Sequence, residues 1–263
     1  MDGRKAIFIT GGGSGIGRAT AVLFAARGWL VGIADIDEAG IAGTLALLPP
    51  GSATNHKMDV RDRDQWTAAL ADFALRSGGR LDLLFNNAGI ALGGALHETA
   101  PEAIERLVQI NILGVINGAQ AGFALLRATP GSALVNTASA AALHGSPGMA
   151  PYTASKFAVR GVTESLDLEW APHGIRVRSI MPSFIDTPLL DVTVAGSNAT
   201  AREQVRAQGL EFTPVEQVAE AVWAAAHGDR VHVLVGKTAR RMAFAAKWMP
   251  GLLRKQLGQR KTD

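Results

Sequence analysis

The sequence predicts an α/β fold, a doubly wound parallel sheet of about seven strands flanked by helices on both faces. Short apolar runs recur along the 263 residues, stretches of helical period separate them, and the runs are apolar on both faces, as strands covered from two sides must be. No linker-like run divides the chain, so a single domain is expected.

The first run, "AIFIT" (6–10), leads into a Gly-rich turn and then "GRATAVLFAARG", whose apolar residues recur at helical spacing. "LVGIA" (30–34) follows and ends at Asp35, where "DIDEAG" turns the chain. "TNHKM" (54–58) is the weakest strand candidate, and "DRDQWTAALADFALRSG" again has helical period. "LDLLFN" (81–86) precedes the uncharged stretch 107–126, long enough to cross a bilayer but carrying two Asn, two Gln and three Gly. A helix buried among protein neighbours is the reading it supports. "ALVNT" (133–137), "RVRSIM" (176–181) and "HVLVG" (232–236) complete the strands. Between the last two, residues 191–214 mix Gly, Ser, Asn and Thr with a short helical patch, as a mobile lid would. The lid is set at about 188–214, inside a domain spanning 1–236.

Cysteine is absent, which excludes disulfides, thiolate zinc sites and a cysteine nucleophile, and suits a reducing, cytoplasmic setting. Residues 237–263 hold eight Lys/Arg and one Asp, so this basic, amphipathic extension carries +7 of a total of +3 and leaves the body at −4. A solvated or subunit-packing terminus is preferred to membrane contact through this tail, and nucleic acid is not expected.

Chemistry enters with "TGGGSGIG" after the first strand. Glycines at 11, 15 and 17 are spaced G-x-x-x-G-x-G; they permit a tight turn and let a pyrophosphate approach the backbone at the start of a helix. Asp35, at the end of the next strand, can accept hydrogen bonds from ribose hydroxyls and would repel a 2′-phosphate, which favours NAD over NADP. The sole tyrosine, Tyr152, lies four residues before Lys156, one helical turn away. A phenol needs about three pKa units, or about 4 kcal/mol, to ionise near neutrality, and a cation beside it in a partly desolvated site supplies a good part. The pair therefore reads as a general acid/base tuned by its lysine.

Thr10 to Gly17, "NNAG" (86–89), Asn111, Ser139 and the Tyr152/Lys156 pair, in that order, resemble the short-chain dehydrogenase/reductase family over residues 5–236. The resemblance implies a Rossmann-like domain and hydride transfer between substrate and nicotinamide. By it, Tyr152 exchanges a proton with the substrate oxygen, Ser139 holds that oxygen, Lys156 also binds the nicotinamide ribose, and Asn111 supports a water. It implies cofactor contacts at Gly11, Ser14, Gly15, Ile16, Gly17, Asp35, Ile36, Asp59, Val60, Asn86, Asn87, Ala88, Gly89, Pro182, Ile185 and Thr187. The family commonly has Pro-Gly after the sixth strand; here the pair is Pro182-Ser183, whose side chain could crowd the nicotinamide or point away.

Pocket walls drawn from Ser139, Ala141, His144, Met149 and Phe184 are small or apolar, which points to an uncharged, fairly hydrophobic alcohol or ketone. No G-x-S-x-G or H-E-x-x-H occurs, so neither a hydrolase elbow nor a metal site is expected. The alternative is a non-catalytic NAD-binding sensor or scaffold. The resemblance implies a homodimer or homotetramer; Gly114, Gly118 and Gly122 form a smooth helix face that suits either a partner or the molecule's own core.

Overall fold

The computed structural model describes residues 3–191, 199–207 and 209–258. Seven strands, β1 (Ala6–Thr10), β2 (Leu30–Asp35), β3 (Ala53–Lys57), β4 (Leu83–Asn86), β5 (Ala133–Thr137), β6 (Arg176–Pro182) and β7 (His232–Val235), form one parallel sheet in the order β3-β2-β1-β4-β5-β6-β7. Alternation sorts the core. Ile7, Ile9, Val31, Ile33 and Phe85 pack with Phe24 of α1 (Gly15–Ala26), Ile41 of α2 (Glu38–Leu45) and Val218 and Val222 of α8 (Val215–His227). Phe8, Leu84 and Leu134 face the other way, onto Trp66 and Phe73 of α3 (Arg63–Ser77) and Ala119 of α5 (Gly114–Ala128). The weak strand signal at β3 has a physical cause: it is an edge strand with Thr54 and His56 buried and Asn55 and Lys57 exposed. His56 fits because its Nε2 pairs with Thr54 Oγ1 at 2.8 Å and its ring packs 5.2 Å from that of Phe8.

The long apolar stretch is a core helix. α4 (Pro101–Val108) runs into α5 through a widened π turn at Gln109–Leu113. A Cβ at Gly118 would stand 2.3 Å from Asn86 Oδ1, and one at Gly122 would stand 2.5 Å from Leu84 Cδ2. The glycine stripe thus lets the helix approach β4 of its own domain, and is not free for a partner.

From β1 the chain winds outward to β3, then returns to β4 beside β1 and winds the other way. Crossovers leave the sheet in opposite directions there, so a cleft opens at the carboxyl ends of β1 and β4. α6 (Ala150–Trp170) packs along β6 and walls this end. Residues 192–198, the middle of the anticipated lid, lie outside the described residues. The described residues around it are tied down: Ile185 bridges to Thr213, and Arg202 of α7 (Ala201–Ala207) binds Asp186, Asp191 and the Thr187 carbonyl. α9 (Lys237–Trp248) and α10 (Pro250–Gly258) fold back on the domain and bury Ala239, Leu253 and Leu257.

Candidate active site

The Gly-rich turn shapes the nucleotide end. Gly11 and Gly15 hold φ of 65° and 48°, left-handed values that other residues adopt with strain. A Cβ at Gly17 would lie 2.1 Å from the Gly11 carbonyl oxygen, so the third glycine closes the turn on itself instead of facing the cleft. Thr10 ties this turn to the end of β4, its Oγ1 accepting the N–H groups of Asn87 and Ala88 at 3.0 Å each. The Asn87 amide donates to the Thr10 and Gly11 carbonyls. The first turn of α1 therefore presents its N–H groups to a cradle of fixed shape, which fits a pyrophosphate.

Asp35 is fixed too: Oδ2 accepts the Gly13 N–H at 2.9 Å and Oδ1 accepts that of Asp37 at 3.1 Å. Two nearby cations are already engaged. Arg18 donates to Thr44 Oγ1 and to the carbonyls of Gly13 and Gly40, and Arg61 pairs with Asp59, holding that carboxyl below its ordinary range.

At the reacting end, Ser139 leaves β5 in extended geometry and caps a short turn, its Oγ accepting the Ala141 N–H at 3.1 Å. Its hydroxyl donates to the Pro182 carbonyl at 3.5 Å and lies close enough to the phenol of Tyr152, which projects from the first turn of α6, to work against the rise in that group's pKa. Lys156, one turn on, donates to the Thr137 carbonyl at 2.9 Å and stands 5.6 Å from the centre of the Tyr152 ring. Sequence reasoning passed over Ser155, whose hydroxyl donates to the Tyr152 carbonyl at 2.7 Å and accepts from Asn111 Nδ2 at 3.2 Å. A serine inside a helix carries no distinguishing signal in sequence.

Burial raises the Tyr152 pKa above its ordinary value, opposed by the nearby Ser139 hydroxyl, so desolvation outweighs the pull towards ionisation that the sequence reading assigned to the lysine. Lys156 is itself pushed down to about 8 by desolvation, because dense protein surrounds an ammonium that is only 5% exposed. The Thr137 carbonyl favours the charged form and works the other way.

Asn111 is 1% exposed and braces the segment after β4, its amide accepting the Ile90 N–H and donating to the Ile90 carbonyl, both at 2.9 Å. Three further expectations change. Asn86 points into the core, donating to Asn136 Oδ1 and the Val115 carbonyl. Gly17 supports the turn from behind. His144 lies outside the cleft, its Nδ1 turned onto the Gly145 carbonyl at 2.6 Å. Ser183 does line it, but its hydroxyl donates to the Val235 carbonyl on β7, away from the nicotinamide end.

The cleft has a volume of about 1040 Å³. Gly11, Ser14, Gly15, Ile16, Asp35, Ile36, Asp59, Val60, Asn87, Ala88, Gly89, Pro182, Ile185 and Thr187 line it as expected, as do Ser139, Ala141, Met149, Tyr152, Lys156 and Phe184. Leu189 lines it too, within the expected wall segment 184–190; unexpected are Val205 and Leu210 of the lid region and Met242 and Leu257 of the C-terminal helices. Their apolar character was legible, but their convergence on one cavity was not. One look-alike carries no chemistry: Ser179, His232 and Glu164 form a hydrogen-bonded chain with 2.8 Å at each link, but Ser179 is 0% exposed and cannot reach a substrate.

Residues 5–198 match the family model described as short chain dehydrogenase. The cyclohexanol dehydrogenase of an Acinetobacter species is 38% identical over 71% of this chain and 75% of its own. A short-chain dehydrogenase/reductase from Burkholderia phymatum, solved in complex with NAD, superimposes with a TM-score of 0.83 at 28% identity, covering 99% of this chain and 97% of that one. Another, from Burkholderia cenocepacia J2315 in complex with NADP, gives 0.80 at 25% identity, covering 98% and 99%. A glycine cradle and a Ser-Tyr-Lys set facing one cleft, on this strand order and with these relatives, place the chain in the short-chain dehydrogenase/reductase family of oxidoreductases.

Proposed function

We propose that the protein is an NAD(H)-dependent oxidoreductase that interconverts an uncharged, fairly hydrophobic secondary alcohol and its ketone, with Tyr152 as general acid/base. The observation that carries this reading is the convergence of Ser139, Tyr152 and Lys156 on one cleft that presents the fixed Asp35 carboxylate at its nucleotide end. A sensor has no use for a phenol set beside a serine and a lysine.

Bound nicotinamide supplies the hydride donor or acceptor and, when oxidised, a positive charge. Ser139 Oγ, oriented by the Ala141 N–H, holds the substrate oxygen. Towards the alcohol, neutral Tyr152 donates its proton to the oxygen as negative charge develops there, and its raised pKa suits that direction at neutral pH. Towards the ketone, the phenol must accept the alcohol proton. Lys156, held on the Thr137 carbonyl, then supplies the cation that stabilises the deprotonated form.

NAD is supported over NADP by Asp35, with Arg18 and Arg61 already committed to other partners. An apolar substrate is supported by Leu189, Leu210, Met242 and Phe184 in the wall, and by the name of the cyclohexanol-oxidising relative. Arg61 and Arg106, the arginines that line the cleft among the described residues, both act on Asp59 at the nucleotide end and so leave a substrate carboxylate unmatched. The test is steady-state kinetics on secondary alcohols and ketones with each cofactor. Turnover of uncharged cyclic or long-chain substrates with NAD is expected, and strong preference for an anionic substrate would overturn the reading. Asp35→Asn should shift the NAD/NADP ratio of kcat/KM towards NADP by about tenfold to a hundredfold.

A further inference from the structure

From the C-terminal helices we infer a docking surface for an anionic lipid membrane. α9 is two-faced at helical spacing. Ala239, Met242, Ala243 and Ala246 turn inward, and Arg240, Phe244, Lys247 and Trp248 turn outward. The outward apolar side chains are large and open to solvent: Phe244 is 60% exposed and Trp248 is 65% exposed, with Met249 and Leu252 continuing the patch onto α10. The demand for self-packing is already met by Ala239, Leu253 and Leu257 on the inner side, so the fold does not explain the outer face.

Charge decides what covers it. Arg240, Arg241, Lys247, Arg254 and Lys255 are exposed on these two helices, and among the described residues none pairs with an acidic side chain; Lys237 alone is tied, to Glu211. Lys247 stands 5.0 Å from the centre of the Trp248 ring, so cation and aromatic share one spot. A second copy seated symmetrically on this face would set Arg240 and Lys247 against their own counterparts, a like-charge contact that opposes association. An anionic bilayer offers what the face lacks, a headgroup layer of opposite charge over an acyl region that takes Phe and Trp. Docking this way would leave the cleft one helix from the lipid, since Met242 lines the cleft from the inner side of α9.

The test is co-sedimentation of the full chain with vesicles of phosphatidylcholine alone and of phosphatidylcholine with about one third phosphatidylglycerol, at low and high salt. Binding to the anionic vesicles only, weakened by salt, is expected. Binding should fall about tenfold or more in Phe244→Ser/Trp248→Ser, and about fivefold for each charge reversed in Arg240→Glu and Lys247→Glu. These positions are exposed, so melting temperature and turnover should stay at wild-type values. Absence of anionic binding, equal binding to neutral vesicles, or a drop in oligomeric mass in the Phe244/Trp248 variant would each overturn the inference, the last by showing that a second copy covers the face.

Discussion

Burial acts on both Tyr152 and Lys156. The phenol is kept neutral and the ammonium binds its proton less tightly than in water. Tyr152→Phe removes the proton carrier but leaves the glycine cradle intact, so kcat should fall by about a hundredfold to ten-thousandfold with cofactor affinity within a few-fold of wild type. Lys156 bears on stability as well. Its pKa drops from 10.5 in the unfolded chain to about 8 in the fold, so the unfolded chain binds more protons between those values and stability rises with pH through that window. Below about pH 8 the fold carries the full cost, about 3 kcal/mol. Denaturation of wild type and Lys156→Met from pH 7 to 10 should therefore show the variant more stable at pH 7 and the difference shrinking as pH rises. The pairing of these two residues was legible because residues four apart on a helix share a face. The direction of the phenol's shift was not, because desolvation depends on what packs around it.

Close approach at the scale of elements is decided by small residues, and two glycines on neighbouring helices give opposite forecasts. In α5, Gly118→Ala would drive a methyl to 2.3 Å from Asn86 Oδ1 and 2.7 Å from Trp66, and should cost about 1–3 kcal/mol in denaturant titration. In α6, Gly161 is exposed with nothing within 4 Å, so Gly161→Ala should gain about 0.5–1 kcal/mol by the same measurement. The strands themselves were readable from their apolar runs, even β3, whose half-buried pattern dilutes the signal. The π turn at Gln109–Leu113 was not, since nothing in "QINIL" separates one wide turn from ordinary helix. That turn holds Asn111, whose amide braces the Ile90 peptide.

The whole molecule draws its cleft from segments far apart in sequence. The nucleotide half follows from motifs that each sit at the end of one strand, which is why Gly11, Asp35 and Asn87 could be named from the sequence. The substrate half is assembled from the lid region, α6 and the C-terminal helices, and no local pattern announces that Met242 or Leu257 will meet Phe184 around one space. A charge placed there should act on substrate alone: Met242→Glu is expected to raise KM for an uncharged alcohol about tenfold and leave KM for NAD unchanged. The order of synthesis also has a consequence in time. The strands and helix that carry the glycine turn pack on Val218 and Val222 of α8, so a nascent chain completes even the nucleotide half of its cleft only after most of the sequence has left the ribosome.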